Sequence, residues 1–211
     1  MKITAVDYGE STLPESMIFR GGDPAKALPI TFTVYLLQDG DRSILVDAGC
    51  ETMPGFDMKN FCGPVKALEK LGFAPEDITD LIITHAHHDH IECAKYYKNA
   101  TVYIQKEELT KSKNHLDESK KIIAFDTEVS LMENVKAIKI GGHSKGSSIV
   151  EIYGFEKIYV ISGDECYLRR CIDERIPTGS SVSPEQSEAF IQKYSDEKYK
   201  ILYCHDSRNN A

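Results

Sequence analysis

The sequence predicts an α+β protein in which a sheet core is flanked by helices, and three observations lead to this prediction. Strand-like and helix-like segments of modest length alternate along the chain. With 211 residues, 41% of them hydrophobic, the chain is long enough to bury one core. It contains no sequence repeat, low-complexity tract or linker. We therefore expect a single domain over residues 1–211.

Two strand patterns near the N-terminus predict a hairpin. Residues 2–6 and 30–38 are rich in β-branched and aromatic side chains, which favour strands. Asp39-Gly40 is a turn signal, and residues 43–47 return as the next strand. The segments 30–38 and 43–47 are therefore expected to pair with each other.

The later elements alternate in type. Apolar residues on a helical period predict a helix over 63–71 that ends at Gly72, and Ser183-Pro184 is typical of a helix start. That second helix is expected to reach residue 195. The other expected elements are strands at 80–84, 101–105, 135–140, 147–153, 157–162 and 200–204, and a helix at 89–98.

Two segments are candidates for the walls of a substrate pocket. Residues 7–29 are expected to be loop-like because they contain several glycines and prolines, and residues 50–62 carry Met53, Phe56 and Phe61 in a segment too irregular for a helix. Apolar groups on loops suit a small hydrophobic part of a substrate, with core packing as the commoner alternative.

The charge balance disfavours nucleic acid and anionic membranes as partners. The net charge is −8 and the pI is near 5.4, so like charges would repel before contact. No apolar run approaches the ~18 residues of a membrane span, and the first residues show no apolar signal segment. We expect a cytoplasmic protein with six reduced cysteines that acts on a small molecule.

A cluster of metal-ligand residues follows the apolar strand at 80–84. His85, His87, Asp89 and His90 fall within six residues, and imidazole and carboxylate groups suit zinc and also iron or manganese. Three further candidates stand at the ends of later strands, namely His143, Asp164 and His205. A histidine-rich surface loop is the alternative, but it does not explain these later residues.

The motifs around these residues resemble those of the metallo-β-lactamase superfamily. They are Thr84-His85-Ala86-His87-His88-Asp89-His90, Val46-Asp47-Ala48-Gly49 before it and Gly142-His143-Ser144-Lys145-Gly146-Ser147 after it. The resemblance extends from about residue 30 to His205. It implies a four-layer αββα sandwich with two metal ions held at one edge, between the two sheets.

The same resemblance implies a role for each candidate ligand. The first metal would bind His85, His87 and His143, and the second would bind Asp89, His90 and His205, with Asp164 bridging. Asp47 matches an aspartate that is not usually a ligand and would orient a histidine. The alternative for Asp47 is a turn residue at the end of a strand.

Two divalent cations, zinc first and iron or manganese as alternatives, would make the chain a hydrolase. Such a pair lies ~3.5–4 Å apart and lowers the pKa of a bridging water towards about 7. The hydroxide would attack a carbonyl or phosphorus centre, with Asp89 as the proton carrier. The alternatives from other classes are a metal-binding or sensing protein without turnover and a diiron redox protein.

Asp164-Glu165-Cys166-Tyr167 is similar to the N-acyl-homoserine lactonase group, in which the tyrosine hydroxyl contacts the substrate carbonyl. Tyr167 would then polarise a lactone or ester carbonyl; the alternative is a tyrosine that packs under the loop. Glu92 departs from that group, which tends to have glycines there, and is expected to place a carboxylate near the mouth of the site. Thioesterase and phosphodiesterase activities of the same superfamily are the alternatives.

Four cysteines stand within three residues of a motif position, namely Cys50, Cys93, Cys166 and Cys204. Burial as small apolar residues is the common role of such cysteines. We nonetheless expect oxidants to impair the enzyme by attacking these thiols.

Overall fold

The computed structural model describes residues 1–112, 114–116 and 120–206. The chain divides into two compact units. One is formed by Met1–Ser11 with Thr31–Phe125, and the other by Thr12–Ile30 with the described residues from Asp126 onwards. Within these described ranges, no helix has both the length and the apolar character needed to cross a bilayer.

The strands are β1 (Lys2–Pro14), β2 (Ala27–Asp39), β3 (Arg42–Val46), β4 (Asp80–Ile83), β5 (Thr101–Gln105), β6 (Ile122–Phe125), β7 (Glu128–Met132), β8 (Val135–Lys139), β9 (Ser148–Ile152), β10 (Ile158–Ile161) and β11 (Tyr199–Leu202). The helices are α1 (Glu15–Ile18), α2 (Pro64–Glu69), α3 (His88–Ile91), α4 (Lys106–Leu109), α5 (Arg169–Asp173) and α6 (Pro184–Tyr194). Short 3-10 turns occupy Pro75–Asp77, Glu92–Tyr96 and Gly163–Glu165.

The first sheet places several loops at one edge. Its described strands lie in the order β1-β2-β3-β4-β5-β6, with β2 and β3 forming an antiparallel hairpin and β3 to β6 running parallel. Residues of β4 are buried throughout, which suits a strand read as one apolar run. Because parallel strands end at the same edge, the segments after β3, β4 and β5 are neighbours.

The second sheet also places several loops at one of its edges, although its strands are connected differently. Its described strands lie in the order β11-β10-β9-β8-β7, with β10 and β11 parallel and the other pairs antiparallel. Since β8 and β10 are both antiparallel to β9, they run in the same direction as each other and as β11. The segments that follow β8, β10 and β11 therefore leave one edge of this sheet.

The structure confirms the hairpin, the strands after it and the two helices with clear start or stop signals. It corrects the expectation for residues 7–29, because β1 continues to Pro14, α1 follows, and β2 begins at Ala27. Gly9 contributed to the loop interpretation, yet a Cβ atom there would stand 2.6 Å from Phe61 Cδ2. The glycine therefore permits a close approach to an aromatic ring within a strand. The helix expected at 89–98 is divided into α3 and a 3-10 turn.

Candidate metal centre

The first ligand cluster lies at the carboxyl end of β4. His85 and His87 follow this strand, and His85 Nε2 lies 3.0 Å from His87 Nδ1. The other ring nitrogen of His85 lies 3.1 Å from the Thr84 hydroxyl. Two ligands bound at about 2.1 Å to one tetrahedral cation stand roughly 3.4 Å apart. The spacing of the two imidazoles is compatible with two ligands of one cation.

Asp89 and His90 lie on α3, directly after this pair, and the Asp47 carboxylate contacts His90. His90 Nε2 lies 3.6 Å from Asp89 Oδ2, and His90 Nδ1 lies 2.7 Å from Asp47 Oδ2. Because a carboxylate only accepts, Nδ1 carries the proton and Nε2 has the lone pair that a cation needs. Asp47 also accepts the Thr84 N–H at 2.8 Å and the Thr84 hydroxyl at 2.9 Å. The aspartate thus joins the ends of β3 and β4.

Two buried residues that sequence reasoning missed support the same cluster. The Tyr8 hydroxyl donates to the Asp89 carbonyl at 3.0 Å, and burial raises the pKa of Tyr8 well above its ordinary value, so it stays a donor. Glu108, on α4, accepts the Ala86 N–H at 3.0 Å between the two histidines. The position of Glu108 just after a strand parallel to β4 was the available signal for its role.

Glu92 is a buried carboxylate with two partners in its own unit, Glu51 and Lys95. Its carboxylate accepts the Glu51 N–H at 2.7 Å and forms an ion pair with Lys95. Burial raises the pKa of Glu92, but these two partners outweigh it and hold the pKa below its usual value. Glu92 thus fixes the start of the 50–62 segment, and its expected place near the mouth of the site stays a prediction.

The second ligand cluster lies at one edge of the second sheet. Asp164 and His205 stand three residues beyond the paired ends of β10 and β11, and His143 follows β8. Asp164 Oδ1 lies 3.0 Å from His205 Nε2, and Asp164 Oδ2 lies 3.4 Å from His143 Nε2. All three side chains are buried. One carboxylate thus turns each of its oxygens to a different imidazole.

Hydrogen bonds and rings define the surroundings of this second cluster. His143 Nδ1 lies 2.7 Å from the Ser180 carbonyl, so it carries the proton and the Nε2 lone pair faces Asp164. Tyr167 is buried, stacked on the His205 ring with centroids 5.1 Å apart, and edge-on to His143 at 6.0 Å. The Asp206 carboxylate accepts the Arg169 N–H at 2.7 Å and so connects the segment after β11 to α5.

Glu165, the neighbour of Asp164, is a further carboxylate that sequence reasoning missed. It is fully buried, and burial raises its pKa to about 7 even though the Ser147 hydroxyl and the N–H groups of His143 and Gly142 lower it. The position of Glu165 next to Asp164 in the sequence does not tell which way its side chain turns. The sequence therefore carried no signal that Glu165 accepts these donors.

The four cysteines near the motifs are buried, and all six cysteines of the chain are free thiols. Burial, followed by the charge of Asp89, raises the pKa of Cys50 to about 12, and burial also raises the pKa values of Cys93 and Cys166. Because the thiolate is the reactive form, raised pKa values disfavour the oxidation of these three thiols, and impairment by oxidants stays a prediction.

The chemistry of the donor set fits divalent transition-metal ions. Each cluster combines imidazole nitrogens with carboxylate oxygens, and in each unit a histidine uses Nδ1 for a protein oxygen and leaves Nε2 to face other ligand groups. Without a cation, such close nitrogen and oxygen acceptors need protons between them. The candidate ligating groups among the described residues include His85 with His87, Asp89 with His90, and His143 with Asp164.

Comparisons with known sequences agree with this donor chemistry. The family model described as metallo-beta-lactamase superfamily matches residues 33–205, more than half of the chain. Probable metallo-hydrolase MJ0296 of Methanocaldococcus jannaschii is 32% identical over 150 residues, which cover 71% of this chain and 66% of that protein. N-acyl homoserine lactonase AiiB of Agrobacterium fabrum is 25% identical over 157 residues, which cover 62% of this chain and 57% of that protein. The chain thus spans less than two thirds of the length of these relatives.

A third relative matches almost end to end. N-acyl homoserine lactonase AiiA of Bacillus thuringiensis subsp. kurstaki is 24% identical over 238 aligned positions, which cover 97% of this chain and 93% of that protein. The relatives thus include proteins named metallo-hydrolase and proteins named lactonase.

Solved structures match the fold. An N-acyl homoserine lactone hydrolase with N-hexanoyl-L-homoserine at its catalytic metal center has a TM-score of 0.81 at 19% identity, covering 99% of this chain and 94% of that chain. AidC, a dizinc quorum-quenching lactonase, has a TM-score of 0.77 at 17% identity, covering 98% and 87%. Mixed helices and strands in two sheets match the fold of these proteins, which confirms the predicted fold class. The chain belongs to the metallo-beta-lactamase superfamily.

Proposed function

We propose that this protein is a dinuclear metal-dependent hydrolase that opens a lactone or ester of a small molecule. The observation that carries the proposal is the arrangement of Asp164, whose two oxygens face His205 Nε2 at 3.0 Å and His143 Nε2 at 3.4 Å. A carboxylate shared by two cations would offer one oxygen to each of them. Here each oxygen of Asp164 already lies beside a different histidine, which could be a ligand of the same cation as that oxygen.

The proposed ligand sets follow the family motif. His85, His87 and His143 would hold the first ion, Asp89, His90 and His205 would hold the second, and Asp164 would contribute to both. The spacing of His85 and His87 and the tautomers of His90 and His143 support this assignment. Zinc is the proposed metal because imidazole and carboxylate donors suit it and because a relative of the same fold is named dizinc; iron and manganese also accept these donors.

When bound, the two cations lower the pKa of water towards about 7 and polarise a carbonyl oxygen. Asp89 carries the proton of the attacking water to the alcohol oxygen that leaves, so that one water is added across the broken C–O bond. Its carbonyl is held by Tyr8, which keeps the side chain next to His90. Tyr167, stacked on His205, is proposed to donate its hydroxyl to the substrate carbonyl.

The substrate class follows from the named relatives. N-acyl homoserine lactonases are among the relatives of both sequence and fold, which supports a lactone carbonyl as the reacting group. We therefore propose lactones first, with thioesters and phosphodiesters as the alternatives.

A substrate panel tests this function. The zinc-loaded protein is assayed with a pH indicator against lactones, thioesters, phosphodiesters and β-lactams. We expect acid release from lactones, a loss of 10²–10⁴-fold with Asp89→Ala, and no change with Asp77→Ala, an exposed carboxylate in the same unit that accepts the Ala74 N–H. Metal binding without turnover of any substrate would instead identify a binding or sensing protein, and redox-active iron would identify a diiron protein.

A further inference from the structure

Glu165 is a fully buried carboxylate for which the proposed reaction has no direct use. It lies in the 3-10 turn Gly163–Glu165, immediately after Asp164. Its Oε1 atom accepts the Gly142 N–H at 3.1 Å, the His143 N–H at 3.2 Å and the hydroxyl of Ser147. Three donors from one loop therefore converge on one oxygen of a residue from another loop.

The donor loop, residues 141–147, is closed on itself around this oxygen. The N–H groups of Ile140 and Gly141 bond to the Ser147 carbonyl at 2.9 and 3.0 Å, and the Ser144 N–H bonds to the Ser147 hydroxyl oxygen at 3.0 Å. Because the Ser147 side chain joins this network to the Glu165 carboxylate, a shift of the carboxylate would move the backbone that carries His143.

The contact leaves no spare room. A Cβ atom added to Gly142 would clash with Glu165 Oε2 and would lie 2.6 Å from Ser187 Oγ. The backbone at 142 thus packs directly on the carboxylate, and such a close approach requires glycine. The glycine and the glutamate form one interlocked pair.

We propose that Glu165 is a positioning residue that holds the His143 loop against the Asp164 turn, so that His143 Nε2 faces Asp164 Oδ2. This inference rests on the proposed function, in which His143 and Asp164 are metal ligands. It adds a residue outside the ligand set that determines how well the ligands are preorganised. Buried partners that orient metal ligands commonly change metal affinity by 10–100-fold when they are replaced.

Two substitutions separate the acceptor from the shape of the side chain. Glu165→Met keeps the length but removes the acceptor and leaves two buried N–H groups without their partner. Glu165→Gln keeps one acceptor oxygen, although a neutral acceptor binds donors less strongly than a carboxylate does. Glu151→Met is the matched control, because Glu151 is also buried in the second unit and accepts the Tyr194 hydroxyl at 2.8 Å.

The first measurement needs no metal. Amide hydrogen exchange of Gly142 and His143 in metal-free protein is followed by NMR. We expect exchange to be faster by roughly tenfold or more in Glu165→Met, close to wild type in Glu165→Gln, and unchanged in Glu151→Met. If Glu165→Met does not fold, Gly142→Ala perturbs the same contact from the loop side and is expected to speed exchange at His143. Unchanged exchange in every variant that folds would overturn the proposal.

The second measurement is Zn²⁺ affinity, by competition with a chromophoric chelator, together with the visible spectrum of the Co²⁺ form. We expect a loss of about 10–100-fold and an altered spectrum in Glu165→Met, a loss below about tenfold in Glu165→Gln, and no loss in Glu151→Met. Equal losses in all three variants would overturn the proposal, because they would reflect general destabilisation. If the wild type binds no metal while exchange follows the prediction, the positioning role stands and the proposed function fails.

Discussion

Replacing Asp47 by asparagine exchanges one carboxylate oxygen for an amide group at a position buried beside His90. Asp47 has a φ of 62°, in the left-handed region that asparagine and aspartate tolerate better than alanine does. Asp47→Asn therefore changes hydrogen bonding without adding backbone strain. The remaining amide oxygen can still accept the Thr84 N–H, which lies 2.8 Å from Asp47 Oδ1.

The amide group then meets His90 Nδ1, which lies 2.7 Å from the atom that is replaced. An amide N–H donates, so His90 Nδ1 must accept and the imidazole proton moves to Nε2, where it blocks a cation. We expect a loss of 10–100-fold in zinc affinity. A hydrogen bond to a charged group contributes about 1.5–3 kcal/mol, so stability should fall by about 2 kcal/mol. In a chain of this size, that loss lowers Tm by about 4–8 °C.

The assay combines Zn²⁺ titration with long-range ¹⁵N–¹H NMR of histidine in the metal-free protein, which reports the tautomer. Asp80→Asn is the control, since Asp80 is a buried carboxylate at the other end of β4 that pairs with Arg42 Nε at 3.0 Å and Arg42 Nη2 at 2.5 Å. We expect the control to lose stability but to keep its zinc affinity. An Asp47→Asn protein with wild-type affinity, or with the proton still on Nδ1, would refute the reasoning.

Three further predictions concern other parts of the chain. Because burial raises the pKa of Cys50 to about 12, roughly one molecule in ten thousand carries the Cys50 thiolate at pH 8. Iodoacetamide should therefore modify the half-buried Cys62 before it modifies Cys50, as measured by peptide mass spectrometry. Early labelling of Cys50 would contradict this. Tyr8→Phe keeps the ring contacts with Phe32 and Phe61 but loses the hydrogen bond to the Asp89 carbonyl. The free energy of unfolding, measured by urea titration, should fall by about 1 kcal/mol. An unchanged urea midpoint would contradict this. The pKa of Glu15 is lowered by Lys26, by the Asp23 N–H and by Arg170. The ionised Glu15 carboxylate therefore stabilises the fold at neutral pH, and this effect is lost as the pH falls through the lowered pKa. Glu15→Gln should reduce the difference in Tm between pH 6 and pH 3, and an unaltered difference would argue against this role of Glu15.

The sequence predicted those parts of the fold in which local pattern and burial agree. β4 is an apolar run that delivers the histidines, and α6 begins at Pro184 as the Ser183-Pro184 pair indicated. The strand in residues 7–14 was missed because glycine at position 9 suggests a loop. The structural reason for this glycine is instead the ring of Phe61, which lies in a distant segment and leaves no room for a side chain. Local propensity cannot reveal such a contact.

In the candidate site, too, the sequence revealed what a local motif contains and missed what depends on contacts between distant segments. Ligand types at strand ends are visible in a motif, so His85 or Asp164 could be named from the sequence. Glu108 and Glu165 were not found, because each accepts backbone N–H groups from a segment 22 or 23 residues away, at Ala86 for Glu108 and at His143 and Gly142 for Glu165. The partner of Glu92 was not foreseen for a related reason, since Glu51 is separated from it by 41 residues. Which way a side chain turns depends on the packing of such separated segments.

The most direct test of the dinuclear site is the number of metal ions per chain. Protein stripped with a chelator is dialysed against a small excess of Zn²⁺, and bound zinc and protein are quantified together by elemental analysis and amino-acid analysis. We expect two zinc ions per wild-type chain, and no more than one in Asp164→Ala, because that carboxylate is proposed to serve both ions. One ion or none in the wild type, or two ions retained in Asp164→Ala, would contradict it.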